Sequence, residues 1–205
     1  MNEHTETTLP AIGNPMLGGF FTGVIMLNGQ RHAIITAPKK LGEFSGVWNP
    51  HLDDVAGAKS FVDGRANTIA MADAGCPIAR QAMDLKIDGL TDFFIPSQDM
   101  AELQYRAFKP NCNDNSQYAR SGINISAVPP SYPYTPDFPT QTHLPFFQDG
   151  GEEEFESEWY WTSTQHAGNS CSAWYQSFLN GYQGYNYEIY KSYELLVRAV
   201  RSQPI

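Results

Sequence analysis

With 205 residues, 41% of them hydrophobic, the chain is long enough to bury one core and short for more than one domain. Its 22 Asp and Glu outnumber 13 Lys and Arg, and the net charge of -9 argues against a general nucleic-acid binder, which needs a basic stripe. No apolar run approaches the ~20 residues of a membrane span, and the start, Met-Asn-Glu-His-Thr-Glu-Thr-Thr, has neither the basic nor the apolar region of a secretory signal, so synthesis in the cytoplasm without membrane insertion is expected.

Residues 1–15 are polar, interrupted by Leu-Pro and Asn-Pro, and read as an arm that docks other proteins or stays outside the core. Residues 16–205 read as a single domain. Phe20 to Leu27 and His32 to Thr36 flank Asn28-Gly29, a pair that accepts positive φ and so predicts a hairpin. Lys39 to Pro50 reads as a loop carrying a buried Trp48. The Ala-rich stretch from Val55 to Leu85 is helix-compatible but broken at Asp63-Gly64 and again at Gly75 and Pro77. Asp63 suits an N-cap and Pro77 a first helical turn. Ile87-Asp88-Gly89 reads as a turn and Phe93 to Ile95 as a short strand. Ser97 caps a helix over Gln98 to Phe108, with Asp99 complementing its positive end. Met100, Leu103 and Ala107 share one face of that helix, and Tyr105 and Phe108 border it.

Residues 111–158 form a long insertion rich in Pro, Asn, Ser and Gly, without a sustained period. A loop of that length in a compact domain is either functional or packed by its own aromatic residues, here Tyr132, Tyr134, Phe138, Phe146 and Phe147. Its end carries Glu152, Glu153, Glu154, Glu156 and Glu158, which read as a solvated charged loop. The run lacks the Asp/Asn/Gly alternation of a calcium loop, so no metal or other cofactor is expected. Three short β-prone runs follow, which predicts an antiparallel meander. In the second, Trp174, Gln176 and Phe178 fall on one face, and Tyr175, Ser177 and Leu179 on the other. Leu195 to Val200 reads as a central strand paired antiparallel with Trp174 to Phe178.

Two segments together resemble a known family. Tyr160-Trp161-Thr-Ser-Thr-Gln165, Ala173-Trp174, Phe178, Gly181 and Val197-Arg198-Ala199-Val200-Arg201 form one. Asp92-Phe-Phe-Ile-Pro-Ser-Gln-Asp-Met-Ala-Glu-Leu-Gln-Tyr-Arg106 forms the other. They are similar to a bacterial and phage domain-of-unknown-function family with a C-type lectin-like fold, which includes the Lcl C-terminal domain. That family is related in fold to formylglycine-generating enzymes and to the retroelement-diversified receptor-binding proteins of phage tails. The resemblance implies an α+β, C-type lectin-like fold, with two helices packed on a twisted antiparallel sheet and long loops. It also implies a virion component, a tail-fibre or tail-tip protein that acts at the host surface. Fold alone does not carry function.

The residues narrow the chemistry. His4, His32, His51, His143 and His166 are scattered, and no nucleophile triad or phosphate-cradling loop is recognisable. Cys76, Cys112 and Cys171 have no metal-type spacing, and only Cys171 lies where the formylglycine-generating relatives need a cysteine pair. A non-enzymatic binding protein is therefore expected. Asn169, Ser170, Tyr182, Tyr185, Asn186, Tyr187 and Tyr190 are the candidate ligand-binding residues. Tyr supplies rigid amphipathic area and small polar residues supply adaptable hydrogen bonds. The expected partners are a host surface glycan or protein, further copies of the chain in a homo-oligomer, and other tail proteins through the arm. The alternative is that these tyrosines pack on edge strands or against a neighbouring subunit in a structural virion module.

Overall fold

The computed structural model describes residues 9–185 and 189–205. The chain begins with three strands, β1 (Pro15–Met16), β2 (Gly19–Leu27) and β3 (Gln30–Thr36). The β2–β3 hairpin turns on Asn28 and Gly29, at φ of 51° and 78°. Both fall in the left-handed region that the two-residue hairpin turn requires. Residues 9–16 lie against their own domain. Pro15 and Met16 pair with β2, and Leu9 and Met16 pack on a cluster around Phe21, Val24 and Ile35.

Trp48 is buried, as the sequence suggests, but the segment before it is not loop throughout. Lys39–Gly42 forms a single helical turn (α1), and Glu43–Val47 is a strand (β4) that pairs with β8 (Glu194–Arg198). Three longer helices follow rather than the two of the expected fold: α2 (Gly64–Asp73), α3 (Pro77–Met83) and α4 (Gln98–Phe108). Gly75, at φ 85°, ends the first of these, and Pro77 opens the next. Asp63 and Ser97 cap α2 and α4, each accepting a bond from a backbone N–H three residues on. Phe94 makes only a bridge with Val200, not a strand.

The remaining strands are β5 (Trp159–Gln165), β6 (Ala173–Ser177), β7 (Gln183–Gly184) and β9 (Val200–Pro204). They complete two sheets, of order β1-β2-β3-β9 and β4-β8-β5-β6-β7. The fold is α+β, but two predicted details are corrected. β5 lies between β6 and β8, so Leu195–Val200 does not pair with the Trp174 strand; β8 meets β5 in parallel at Tyr160 and Leu196. Nor is 195–200 one strand. The chain breaks at Ala199 and enters the other sheet as β9, held by Ala37 N–H to Ala199 C=O and Ala199 N–H to Gly42 C=O, both 2.9 Å.

The five-stranded sheet is covered on both faces. Trp161, Tyr175 and Val197 meet Met71 of α2 and Ile78, Ala79 and Ala82 of α3. On the other face Tyr160 and Phe178 meet Tyr105 and Phe108 of α4, together with Tyr134, Phe147 and Phe155 of the long insertion. Insertion aromatics therefore build core, although Tyr132 and Phe138 stay exposed at 76% and 56%. Nor are the insertion's glutamates simply solvated. Lys39 pairs with Glu154 and Glu156, and buried Arg198 reaches Glu43 and Glu153, each at 3.3 Å.

Candidate functional site

β6 and β7 lie at one edge of the five-stranded sheet, where Ala119 of the insertion bridges Gln183, and β7 exists because the Tyr-rich loop folds back on β6. Gln176 and Gln183 stand directly opposite in that pairing, so both side chains project on the same side. Period two puts Trp174 and Phe178 on that side too. Phe178 lies deep, edge-on to Tyr105 of α4, and Trp174 is buried too, with 9% of its surface exposed.

Around Trp174 the rings form a ladder. Its indole sits edge-on to Phe61 at 5.4 Å and to Tyr185 at 5.0 Å, and Tyr185 stacks on His166 at 3.5 Å. Arg120 lies over Phe61 at 4.4 Å and pairs with Asp99 in the first turn of α4. Burial raises the Asp99 carboxyl above the usual range, against the pull of Arg120 and Ser126. Burial also lowers the His166 pKa, which keeps its imidazole neutral at pH 7 against the tyrosine face. A stack of neutral rings beside a neutralised ion pair can hold an apolar or weakly polar face and attracts no strong ion.

The adjoining loop is set by its own side chains. Asn169 Oδ1 accepts from Cys171 N–H at 3.0 Å, and its Nδ2 donates to Ser172 Oγ at 3.1 Å. Lys191 N–H donates to Cys171 C=O at 2.9 Å, which joins this loop to the segment from Ile189 onward. The Lys191 ammonium is buried over Trp48 at 4.3 Å and bonded to Asp53 C=O and Gln165 Oε1, and burial pushes its pKa down to about 8.

The candidates divide accordingly. Tyr185 belongs to the ring ladder, and Asn169 and Ser170, both half-buried, lie in the loop that follows His166. Tyr182 turns to the opposite face, half-buried against the core around Trp161 and 6.0 Å from the Tyr175 ring. Tyr190 is 41% exposed and stacks on Tyr193. Asn186 and Tyr187 lie outside the described residues. The structure adds Phe61, Arg120 and His166. Nothing local in the sequence marks Phe61 or Arg120. A second surface feature is a groove of about 410 Å³ between β2 and the insertion, lined by Ile12, Val24, Leu103, Pro130, Tyr132 and Phe138, with Arg106 beside it.

Among the described residues no three His, Cys, Asp or Glu side chains are grouped to hold a metal ion, and no helix is long and apolar enough to cross a membrane. No protein-family model matches the chain, and no curated protein or solved structure matches it.

Proposed function

We propose that the chain is a host-surface binding module of a phage or prophage virion, with a C-type lectin-like fold, acting from a tail fibre or tail tip. The virion setting rests on the resemblance of the Tyr160–Arg201 and Asp92–Arg106 segments. The reading of a binding surface rests on one observation, the ladder Phe61–Trp174–Tyr185–His166 beside the Asn169 loop. Its rings stand on a framework covered on both faces, so the surface is pre-organised and little ordering cost falls on binding. The test is adsorption of the labelled protein to candidate host cells. His166→Ala combined with Tyr185→Ala should lower adsorption about tenfold or more, as expected for aromatic anchors, with the melting temperature nearly kept. Unchanged adsorption would remove this surface from the function.

The second reading is a structural virion module that docks other tail proteins. It is favoured by the apolar groove that exposes Ile12, Tyr132 and Phe138. Tyr132→Ser with Phe138→Ser should leave adsorption intact under the first reading. Loss of particle assembly with normal adsorption would select the second.

A further inference from the structure

The groove between β2 and the insertion has buried Val24, Leu103 and Ala127 at its base, and Ile12, Tyr132 and Phe138 stand 47%, 76% and 56% exposed around it. Past Arg106 and Phe138 it continues into a second hollow of about 290 Å³, lined by Thr140, Thr142 and His143. The two together form an elongated furrow that is open to solvent.

Backbone groups along the furrow are already used. Phe21 N–H donates to Asn14 C=O, Phe21 C=O accepts from Gly13 N–H, and Val24 C=O accepts from Val128 N–H. The β2 edge is therefore occupied on both sides of the groove, and strand addition has no room there. The wall carbonyls of Ser131 and Tyr132 accept from Asn124 N–H and Arg106 Nη2, while Pro129, Pro130 and Pro133 have no N–H. The open donor is Arg106. Its Nε donates to Glu102 at 2.8 Å, and its Nη2 donates to the Gly122 and Tyr132 carbonyls, each at 3.2 Å. Its central carbon lies 5.1 Å from the Tyr134 ring centre and 5.5 Å from that of Phe138. Nη1 has no partner among the described residues, and the side chain is 21% exposed. The guanidinium is thus held in one orientation with donors to spare. Glu102 already balances its charge, which favours a neutral acceptor over a carboxylate.

We propose that this groove docks a proline-rich, extended segment of a partner protein, with a backbone carbonyl of that segment on Arg106 Nη1. The proposal rests on the reading of the chain as a module that docks other tail proteins. A proline-rich segment carries carbonyls and lacks N–H groups wherever a proline stands. It therefore matches a groove whose open polar group is a donor and whose Val24, Ser131 and Tyr132 carbonyls are already bonded. Its polyproline II form needs no internal hydrogen bonds and exists before binding, so little ordering cost falls on docking. Proline rings pack against exposed aromatic rings, here Tyr132 and Phe138, as in other aromatic-lined grooves. A β-prone segment would bring N–H groups that these wall carbonyls cannot accept.

The test selects a displayed random-peptide library on the full chain, then titrates the recovered peptides, made synthetically, by calorimetry. Proline should be enriched in them, and they should bind saturably. Tyr132→Ser with Phe138→Ser should weaken them about tenfold or more at an unchanged melting temperature, because both side chains are exposed. Arg106→Lys keeps a cation for Glu102 and removes Nη1, and it should weaken them as well. Should that variant fail to fold, the Tyr132 and Phe138 variant carries the test. Recovery of no saturably binding peptide overturns the proposal, as do binders without proline or an affinity unchanged in the Tyr132 and Phe138 variant. A wild-type dimer that the same variant dissolves in sedimentation velocity would give the groove to a second copy and overturn it too. Particle assembly separates the two claims. Assembly lost in the variant, with no proline-rich peptide recovered, would remove proline recognition and keep the docking reading. A proline-rich peptide bound at the groove, with assembly intact in the variant, would do the reverse.

Discussion

Arg198 shows how much one residue can organise. Its side chain is wholly buried against the Phe155 ring, and its guanidinium donates to Ala37 C=O, Glu153 C=O and the carboxylates of Glu43 and Glu153. Arg198→Met leaves two largely buried carboxylates without their cation, and should cost about 3–5 kcal/mol in urea unfolding. Phe178→Ala removes a ring stacked on Phe155 at 4.0 Å and should cost a similar ~3–5 kcal/mol. Trp174→Ala removes an indole that keeps 9% of its surface exposed, against 0% for Phe178, and should cost less stability than Phe178→Ala and more adsorption. His166 gives a pH signature. Burial depresses its folded pKa below the ordinary 6.5, so its contribution is present above pH 6.5 and is lost as pH falls through the folded value. Wild type should therefore lose melting temperature relative to His166→Phe on going from pH 7 to about 5. A constant difference across that range would contradict the assignment.

At the scale of elements, α4 sits between two clusters. Met100 and Leu103 face Ile25 and Ile34 of the first sheet, while Tyr105 and Phe108 face the second. Its Glu102 accepts from Asn124 and Tyr134 of the insertion as well as from Arg106 of the same helix, and burial still raises its carboxyl above the usual range. The helix ends themselves were legible, because a cap is a local contact. Asp63 Oδ1 accepts from Ala66 N–H at 2.9 Å, and Asp63→Ala should cost about 1 kcal/mol in thermal or urea unfolding. The β2–β3 hairpin was legible for the same reason. What surrounds α4 was not, since an apolar stripe names a buried face without naming what buries it.

Across the whole molecule, the step at Ala199 makes β8 and β9 consecutive members of different sheets. The insertion touches both: Met26 N–H of β2 donates to Ser126 C=O and Val128 N–H donates to Val24 C=O of β2, while Arg198 of β8 donates to Glu153 C=O. Such cross-linking predicts one cooperative transition, with near- and far-ultraviolet circular dichroism melting together; separate melts would mean that the sheets unfold independently. Metal removal should leave that transition in place, because no ligand cluster is seen among the described residues. A fall of several degrees in EDTA would point back to the Glu152–Glu158 segment.

The sequence by itself determined the local units: the Asn28-Gly29 turn, the caps at Asp63 and Ser97, the split at Gly75 and Pro77, and the alternation of Trp174, Gln176 and Phe178. Each depends on residues within a few positions of one another, where backbone preference and side-chain capping act directly. Only the tertiary structure decided that β5 separates β6 from β8, that Tyr182 turns inward while Tyr185 joins His166, and that Phe61 and Arg120 meet beside Trp174. Those outcomes depend on which distant segments share a sheet or cover a face. Strand pairing is chosen by the sum of many long-range contacts, and that sum has no signature in any single stretch of the chain.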